Sequence, residues 1–324
     1  MIISRSPLRI TLGGGGSDLK SFYSLYGGFL IAGAIEQYVY TTVHNTHFNE
    51  ALIRYSKIER VKKIENIKHP IIREALKLVK ITEPNIEITS MADIPSGSGL
   101  GSSSSFTTAL LKALYKFKNR FISTQQLAEL ACHIEIDLLK EPIGKQDQYI
   151  AACGGITSFT FNKDDSVDIK SVNISKDTIS QLEENLIMFS TGFYRAASKV
   201  LKEQDDKSRL LDVDMINNLH YVKEMGYKSL EYLESGNLTD FGLLMHEHWT
   251  HKKKRSSSMS NPDIDKWYQT ALENGAIGGK LCGAGSGGHL LFYTEEKKKL
   301  LAAFNKVGLK QVPIKFDYEG TKIL

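Results

Sequence analysis

The chain has 324 residues, of which 41% are hydrophobic and 24% charged, with a formal net charge of +4 at pH 7. Those proportions exclude a disordered or fibrous chain, and at about 100–200 residues per domain they suggest two domains. No run approaches the ~18–20 apolar residues that span a bilayer, and the start, Met1 to Pro7, lacks the basic and apolar stretches of a signal peptide. The small basic excess is spread out. Its densest runs, Lys252-Lys253-Lys254-Arg255 and Lys297-Lys298-Lys299, are weaker than those of a nucleic-acid binder. Cys132, Cys153 and Cys282 have neither disulfide-framework nor metal-ligand spacing, which suits a reducing cytosol. His246 and His248 stand two apart without an HExxH pattern, so no dedicated transition-metal site is expected.

Ile2 to Leu12 is β-branched and alternates weakly, predicting an early strand that runs into Gly13-Gly14-Gly15-Gly16. Gly28 to Val43 is rich in Ile, Val, Tyr and Thr and predicts strands, continued at Ile53 to Tyr55. Ile72, Ala75, Leu76 and Val79 predict a helix over His69 to Lys80, followed by a strand at Ile86 to Met91. Pro95 to Gly101 is a loop. Helices are predicted from Ser103 to Phe117, from Thr124 to Leu139 and from Asp147 to Ala152, the last ended by Gly154-Gly155. Strands follow at Ile156 to Phe161 and Val167 to Ile174. A boundary near Asp177 to Glu184 divides the chain into 1–180 and 181–324. The second part reads as a strand at Asn185 to Thr191, three or four helices between Arg195 and Asn274, strands at Ala276 to Cys282 and His289 to Tyr293, a helix at Glu295 to Lys306, and a strand at Val312 to Phe316.

Glycine is the unusual component. There are 26, many in three clusters: Gly13 to Gly16, Gly97 to Gly101 and Gly275 to Gly288. Such clusters spend conformational entropy and mark close backbone approach. The strongest chemical signal is Pro95-Ser96-Gly97-Ser98-Gly99-Leu100-Gly101-Ser102-Ser103-Ser104-Ser105, between a strand and an amphipathic helix. Glycines let backbone N–H groups surround phosphate oxygens, and the helix N-terminus adds roughly half a positive charge. Hydroxyls in the first turn can cap the helix or reach a Mg²⁺ ion. The loop is neither a Walker A sequence nor part of a protein-kinase set.

Residues 95–103 resemble the P-x-G-x-G-L-G-S-S phosphate loop of the GHMP kinases. Ser6 to Asp18 resembles that family's first motif, with Ser6 where the family carries alanine. Lys280 to Gly288 resembles its third motif. The third cluster also contains a literal GxGxxG, but the strand after it removes the dinucleotide-binding reading. The resemblance covers nearly the whole chain and implies an α+β fold of two domains. The first is ribosomal-protein-S5-like and the second ferredoxin-like, with the active site in the cleft between them.

The resemblance also implies roles. Pro95, Gly97, Ser98, Gly99, Leu100, Gly101, Ser102, Ser103 and Ser104 bind ATP phosphates. Ser103 with Glu135 holds Mg²⁺. Asp147 is the base or an orienting carboxylate, and Arg9 stabilises charge on the transferred phosphoryl group. Gly14, Gly15, Ser17 and Asp18 lie on the sugar side, and Gly283, Ala284 and Gly285 shape the substrate side of the cleft. Within the family the stretches at Pro7 to Asp18, Thr191 to Ser198 and His248-Trp249 are most similar to heptose 7-phosphate kinases. Those transfer phosphate to the anomeric O1 in making nucleotide-activated heptose for surface polysaccharide. An L-fucokinase-like sugar-1-kinase, and a catalytically silent sugar-binding protein on the same fold, stay open as alternatives. The implied partners are ATP, Mg²⁺ and a small-molecule sugar phosphate, in the cytoplasm, with no nucleic acid and no membrane. A homodimer is compatible with this.

A sugar phosphate needs a second anion site. Thr191, Gly192 and Arg195, at a strand end and helix start, are candidates, with Ser198 beside them. A plain helix start with surface cations fits those residues equally well. Lys20, Lys252 and Lys253 could contribute, although a KKKR run reads first as a solvated face. Trp249 is expected to be half core, with its edge in the cleft at best.

Overall fold

The computed structural model describes residues 1–193, 198–256, 258–285 and 287–324, with the backbone alone for 198 and 199. Among the described residues, β1 (Ile2–Gly13) and α1 (Lys20–Tyr26) lead into β2 (Gly28–Asn45), β3 (Ala51–Arg54) and β4 (Ile58–Val61). Then come α2 (Pro70–Val79), β5 (Ile86–Ala92), α3 (Ser102–Phe117), α4 (Thr124–Cys132), α5 (Gln146–Cys153), β6 (Ile156–Phe161) and β7 (Val167–Ser171). The rest runs α6 (Lys176–Asn185), β8 (Leu186–Ser190), α7 (Ser198–Arg209), α8 (Val213–Ser235), α9 (Leu238–Lys253), α10 (Pro262–Glu273), β9 (Ala276–Leu281), β10 (His289–Thr294), α11 (Lys297–Val307), β11 (Lys310–Val312) and β12 (Lys322–Ile323).

The Gly28 to Val43 run is one strand of 18 residues. Its first eight residues are all buried, the near-continuous apolar pattern of a strand covered on both faces. Beyond Glu36 exposure partly alternates. β2 pairs with β1 along most of its length, with register shifts between Pro7 and Leu8 and between Thr11 and Gly13. Its other edge is shared: Gly28 to Gly33 pairs with β6, and Val39 to Asn45 pairs with β5. This forked sheet runs β12-β1-β2-β5-β3-β4, with β6 and β7 branching from β2. The chain's last strand therefore returns to the first sheet, through Ser4↔Ile323 and Arg5↔Lys322.

The second sheet runs β11-β8-β10-β9, all antiparallel, built from a strand–helices–strand–strand–helix–strand order. Helix α8, from the second half, packs on β1 and β2. Tyr227 stacks on Phe29 at 4.1 Å between ring centroids, and a Cβ on Gly13 would lie 2.4 Å from Ser229 Oγ. The first glycine cluster thus begins where the two halves touch. One core of buried side chains runs from the first sheet to Met188, Phe241 and Leu291 of the second half. A second core gathers Phe189, Trp249, Phe292 and Phe304.

Three local differences from the sequence reading bear on the site. The helix expected over Thr124 to Leu139 is α-helical only to Cys132. His133–Leu138 is a π turn in which Leu139 N donates to Ile134 O at 3.0 Å. The segment read as a boundary is α6, begun by a Ser175 cap that accepts from Thr178 N and packed on the core through Leu182 and Ile179. The final strand of the second sheet is Lys310–Val312 rather than Val312 to Phe316; Phe316 instead bridges to Ile35 of the first sheet.

Candidate active site

The loop before α3 is shaped by glycine conformation. Gly97, Gly99 and Gly101 have φ of +77°, +77° and +78°, a region that side-chain-bearing residues avoid. Each turn is flanked by a residue that faces inward. Leu100 is fully buried, and its carbonyl accepts Arg9 N at 3.0 Å. Ser98 is fully buried, and its carbonyl meets His289 Nδ1 at 2.9 Å. Gly101 precedes α3 with no side-chain cap, and the first backbone bond of the helix runs from Ser105 N to Gly101 O. The N–H groups of Ser102, Ser103 and Ser104 are thus left for an anion. These serines border a cavity of about 430 Å³, within the range of small-molecule sites. Its wall also includes Pro70, Ile71 and Leu139.

Glu135 sits inside the π turn, a local irregularity that recurs at functional sites. It is buried, and accepts from Ser103 Oγ at 2.6 Å and from Gln148 Nε2 at 2.8 Å. Burial raises its pKa, against the hydrogen bonds from Ser103, Gln148 and Ser104, while Asp147 pushes the same way as burial. A buried carboxylate next to a hydroxyl, with no cationic side chain paired to it, is a set of hard oxygen donors. That suits Mg²⁺, which takes one or two carboxylates and completes its shell with water and phosphate oxygens. Among the described residues no group of three or more His, Cys, Asp or Glu forms an all-protein metal cage.

Arg9 and Asp147 form a two-pronged ion pair: Nε to Oδ1 and Nη2 to Oδ2, both 2.7 Å. Arg9 Nη1 also donates to Gly99 O at 2.6 Å, tying β1, the phosphate loop and α5 at one point. Burial opposes the guanidinium charge, but the Asp147 carboxylate outweighs it and raises the Arg9 pKa. Asp18 lies nearby and is buried. Its carboxylate accepts from Gly16 N at 3.2 Å and Gln146 N at 3.1 Å. Burial raises its pKa, only partly offset by those backbone donors. A Cβ on Gly144 would fall 1.9 Å from Asp18 Oδ2, so the loop before α5 closes tightly over this carboxylate.

The third glycine cluster packs backbone to backbone on the phosphate loop. A Cβ on Gly288 would lie 2.4 Å from Ser98 O, and one on Gly283 would lie 2.5 Å from Gly99 Cα. The two Gly-rich segments, distant in sequence, therefore make one floor.

Residues 45–155 match the family model for the GHMP kinases N terminal domain, and residues 229–311 match that for the GHMP kinases C terminal region. The chain belongs to the GHMP kinases. It is 28% identical, over 99% of its length and 98% of the relative's, to a D-glycero-alpha-D-manno-heptose 7-phosphate kinase of Campylobacter jejuni. It is 25% identical, over 91% of its length, to an L-fucokinase/L-fucose-1-P guanylyltransferase of Bacteroides fragilis, of which it covers 35%. Among solved structures, a D-glycero-D-manno-heptose 1-phosphate kinase from Bacteroides thetaiotaomicron shares the fold with a TM-score of 0.83 at 24% identity, the match covering 100% of this chain and 99% of that one.

In this GHMP kinase the cavity gathers Arg9, Gly15, Asp18, Gly97, Ser98, Gly99, Gly101, Ser102, Ser103, Ser104, Glu135, Asp147, Gly283 and Ala284. Other expected residues stand behind it. Pro95 is exposed at the loop's entry, and Leu100 belongs to the core. Gly14 is pressed on the backbone of Phe29 and Leu30. Ser17 Oγ is spent on Gly14 O and Phe29 O, at 2.9 and 2.8 Å. Gly285 packs on Met259. Thr191 Oγ1 donates to Gly288 O at 2.9 Å and so ties β8 to the third cluster rather than facing the cavity. Gly192 is exposed, with none of the described residues beyond its chain neighbours within 4 Å of where its Cβ would lie, and Arg195 lies outside the described residues. Lys20 is at the surface, paired with Asp165.

The KKKR run is not a solvated face. Lys252 and Arg255 are buried and line the cavity with His248 and Lys280, whereas Lys253 and Lys254 are exposed. Trp249 is wholly in the core, with no edge in the cleft. The overlooked signal was periodic. His248 and Lys252 are spaced i, i+4 on one face of α9, and Arg255 follows in the turn after it.

Proposed function

We propose that this enzyme transfers the γ-phosphoryl group of ATP to the anomeric O1 hydroxyl of D-glycero-D-manno-heptose 7-phosphate, giving the 1,7-bisphosphate. The observation that carries the reading is the meeting, in one cavity, of the uncapped α3 N-terminus, the Ser103–Glu135 pair and the Arg9–Asp147 pair. The heptose kinase relative matched along the full chain supports the choice of acceptor.

The α3 N–H groups and the glycine loop hold the nucleotide phosphates. Ser103 and Glu135 are the residues that would hold Mg²⁺, which when bound neutralises phosphate charge. Arg9 faces the charge that develops on the transferred group, held in place by Gly99 O and Asp147. Asp147 has both carboxylate oxygens engaged by Arg9, which favours orienting the acceptor hydroxyl over taking its proton outright. Asp18 accepts from sugar hydroxyls. Rate enhancement comes from positioning and fixed charge, as in other phosphoryl transfers, with no phospho-enzyme. The reaction belongs in the cytoplasm, where ATP is supplied.

The test is ADP release with heptose 7-phosphate, mannose 6-phosphate, fucose, mevalonate and homoserine as acceptors. The expected result is turnover with heptose 7-phosphate well above the others. Activity on an unphosphorylated sugar alone would overturn the acceptor.

A further inference from the structure

The wall contributed by α9 and β9 concentrates positive charge with little to neutralise it. His248, Lys252, Arg255 and Lys280 are 5%, 8%, 3% and 2% exposed and border the cavity. Among the described residues Lys280 Nζ, Arg255 Nη2 and both His248 ring nitrogens have no hydrogen-bond partner. The other arms are fixed. Arg255 Nε donates to Asn218 Oδ1 at 2.9 Å and Nη1 to Gly15 O at 3.1 Å. Lys252 Nζ donates to Leu281 O at 2.9 Å and also to Gly283 O.

Buried cations without counter-charges are costly, and several kept together either give up protons or gain from an anion that joins them. Burial, with mutual repulsion, pulls Lys252 down to about 7 and Lys280 down to about 8. Burial and the same neighbours hold His248 well below its usual range, so it is a neutral donor. Asp18 offsets a part of the Arg255 charge, and no carboxylate forms an ion pair with Arg255, Lys252 or Lys280 among the described residues. Asp147 is engaged by Arg9, and Asp18 by backbone N–H groups. Arg255 donates to Gly15 O, so the cluster adjoins the first glycine cluster, while Lys252 reaches the third through Gly283 O.

We propose that Lys280, Arg255 and His248, with Lys252 behind them, form a second anion subsite for the phosphate group that the acceptor sugar already carries. This rests on reading the cavity as a sugar kinase site. A dianionic phosphate supplies the missing counter-charge and accepts from the three unpartnered donors. The α3 N-terminus remains for the nucleotide, and the acceptor spans from this subsite past Asp18 to Arg9 and Asp147.

The test uses the purified enzyme saturated with Mg²⁺ and a non-hydrolysable ATP analogue, so that the phosphate loop is filled. Inorganic phosphate should then raise the melting temperature of the wild type and of Lys298→Met, a surface control. It should fail to do so for Lys280→Met and His248→Gln. Because Lys280 Nζ makes no hydrogen bond, the methionine isostere keeps the fold. In turnover, Lys280→Met should raise KM for the sugar phosphate by about 10- to 100-fold, the effect of losing one charge-assisted hydrogen bond, with KM for ATP unchanged. Equal phosphate stabilisation of wild type and Lys280→Met, or none of the wild type, overturns the subsite. If the wild type turns over no sugar phosphate, the proposed acceptor fails, yet the phosphate shift still decides the subsite.

Discussion

The two walls of the cavity solve opposite electrostatic problems. On the wall built from β1, α3 and α5, Arg9 and Asp147 are joined by two hydrogen bonds, and Glu135 is held by two side-chain donors. On the wall from α9, β9 and the turn after α9, Lys280 and His248 have no hydrogen-bond partner among the described residues, and Arg255 keeps one nitrogen without one. Paired groups are preorganised before any ligand arrives, which is what a transition state needs. Unpaired groups favour whichever ligand brings the missing charge, which is what selection of an acceptor needs. The first wall should therefore respond to substitution through kcat, and the second through KM for the acceptor.

The sharpest break of that contrast is Asp147→Asn. It removes the charge opposite Arg9, and turnover should fall by about 10²-fold, the effect of lost positioning, while nucleotide binding by calorimetry stays near the wild type. Unchanged turnover would remove Asp147 from the mechanism. Glu135→Gln comes next. The Mg²⁺ concentration for half-maximal rate should rise by about 10-fold or more, as expected when a metal ligand is weakened. The same variant should melt higher than the wild type in metal-free buffer at pH 7. The carboxyl's pKa is raised in the fold, so its ionised form disfavours folding above the ordinary carboxyl range. A lower melting temperature would contradict a carboxylate whose burial outweighs its hydrogen bonds.

Gly99→Ala attacks the floor shared by both walls. Its φ is +77° and its Cβ would lie 2.6 Å from Cys282 O. A strained backbone of this kind costs about 1–3 kcal/mol, read as a fall in melting temperature and a rise in KM for ATP. The smallest expected effect is on pH. With Lys280 at about 8, raising the pH from 7 to 9 discharges it, and acceptor KM should climb several-fold. Arg9, Arg255 and Cys282 face Lys280 as well, with Lys252 and His248 beside it. Arg9 and Arg255 keep their charge over that range. The climb should shrink in Lys280→Met to the part contributed by Lys252 at about 7, and a KM independent of pH in the wild type would count against a charged lysine at the acceptor.

The paired wall was far more legible in the sequence than the unpaired one. Alternate glycines before a serine run announce a tight loop at a helix start, because their conformation and the helix start form one local unit. Arg9, Glu135 and Asp147 could be named only through the resemblance, since their meeting depends on the forked sheet and on a π turn that leaves no period in the sequence. The basic wall was misread because Lys252 to Arg255 was weighed as a run of charges rather than by helical phase with His248. Thr191 looked like a ligand by position, but its hydroxyl is consumed by Gly288. Helix α1 and the final strand β12 are short, and neither has enough apolar repeat to announce itself.

The most direct measurement is ³¹P spectroscopy of the product formed from Mg·ATP and D-glycero-D-manno-heptose 7-phosphate. The predicted spectrum gains one new phosphomonoester signal coupled to the anomeric proton, in equal amount to the ADP formed, while the 7-phosphate signal persists. ADP without a second sugar phosphate, or phosphate on any other carbon, would contradict the account.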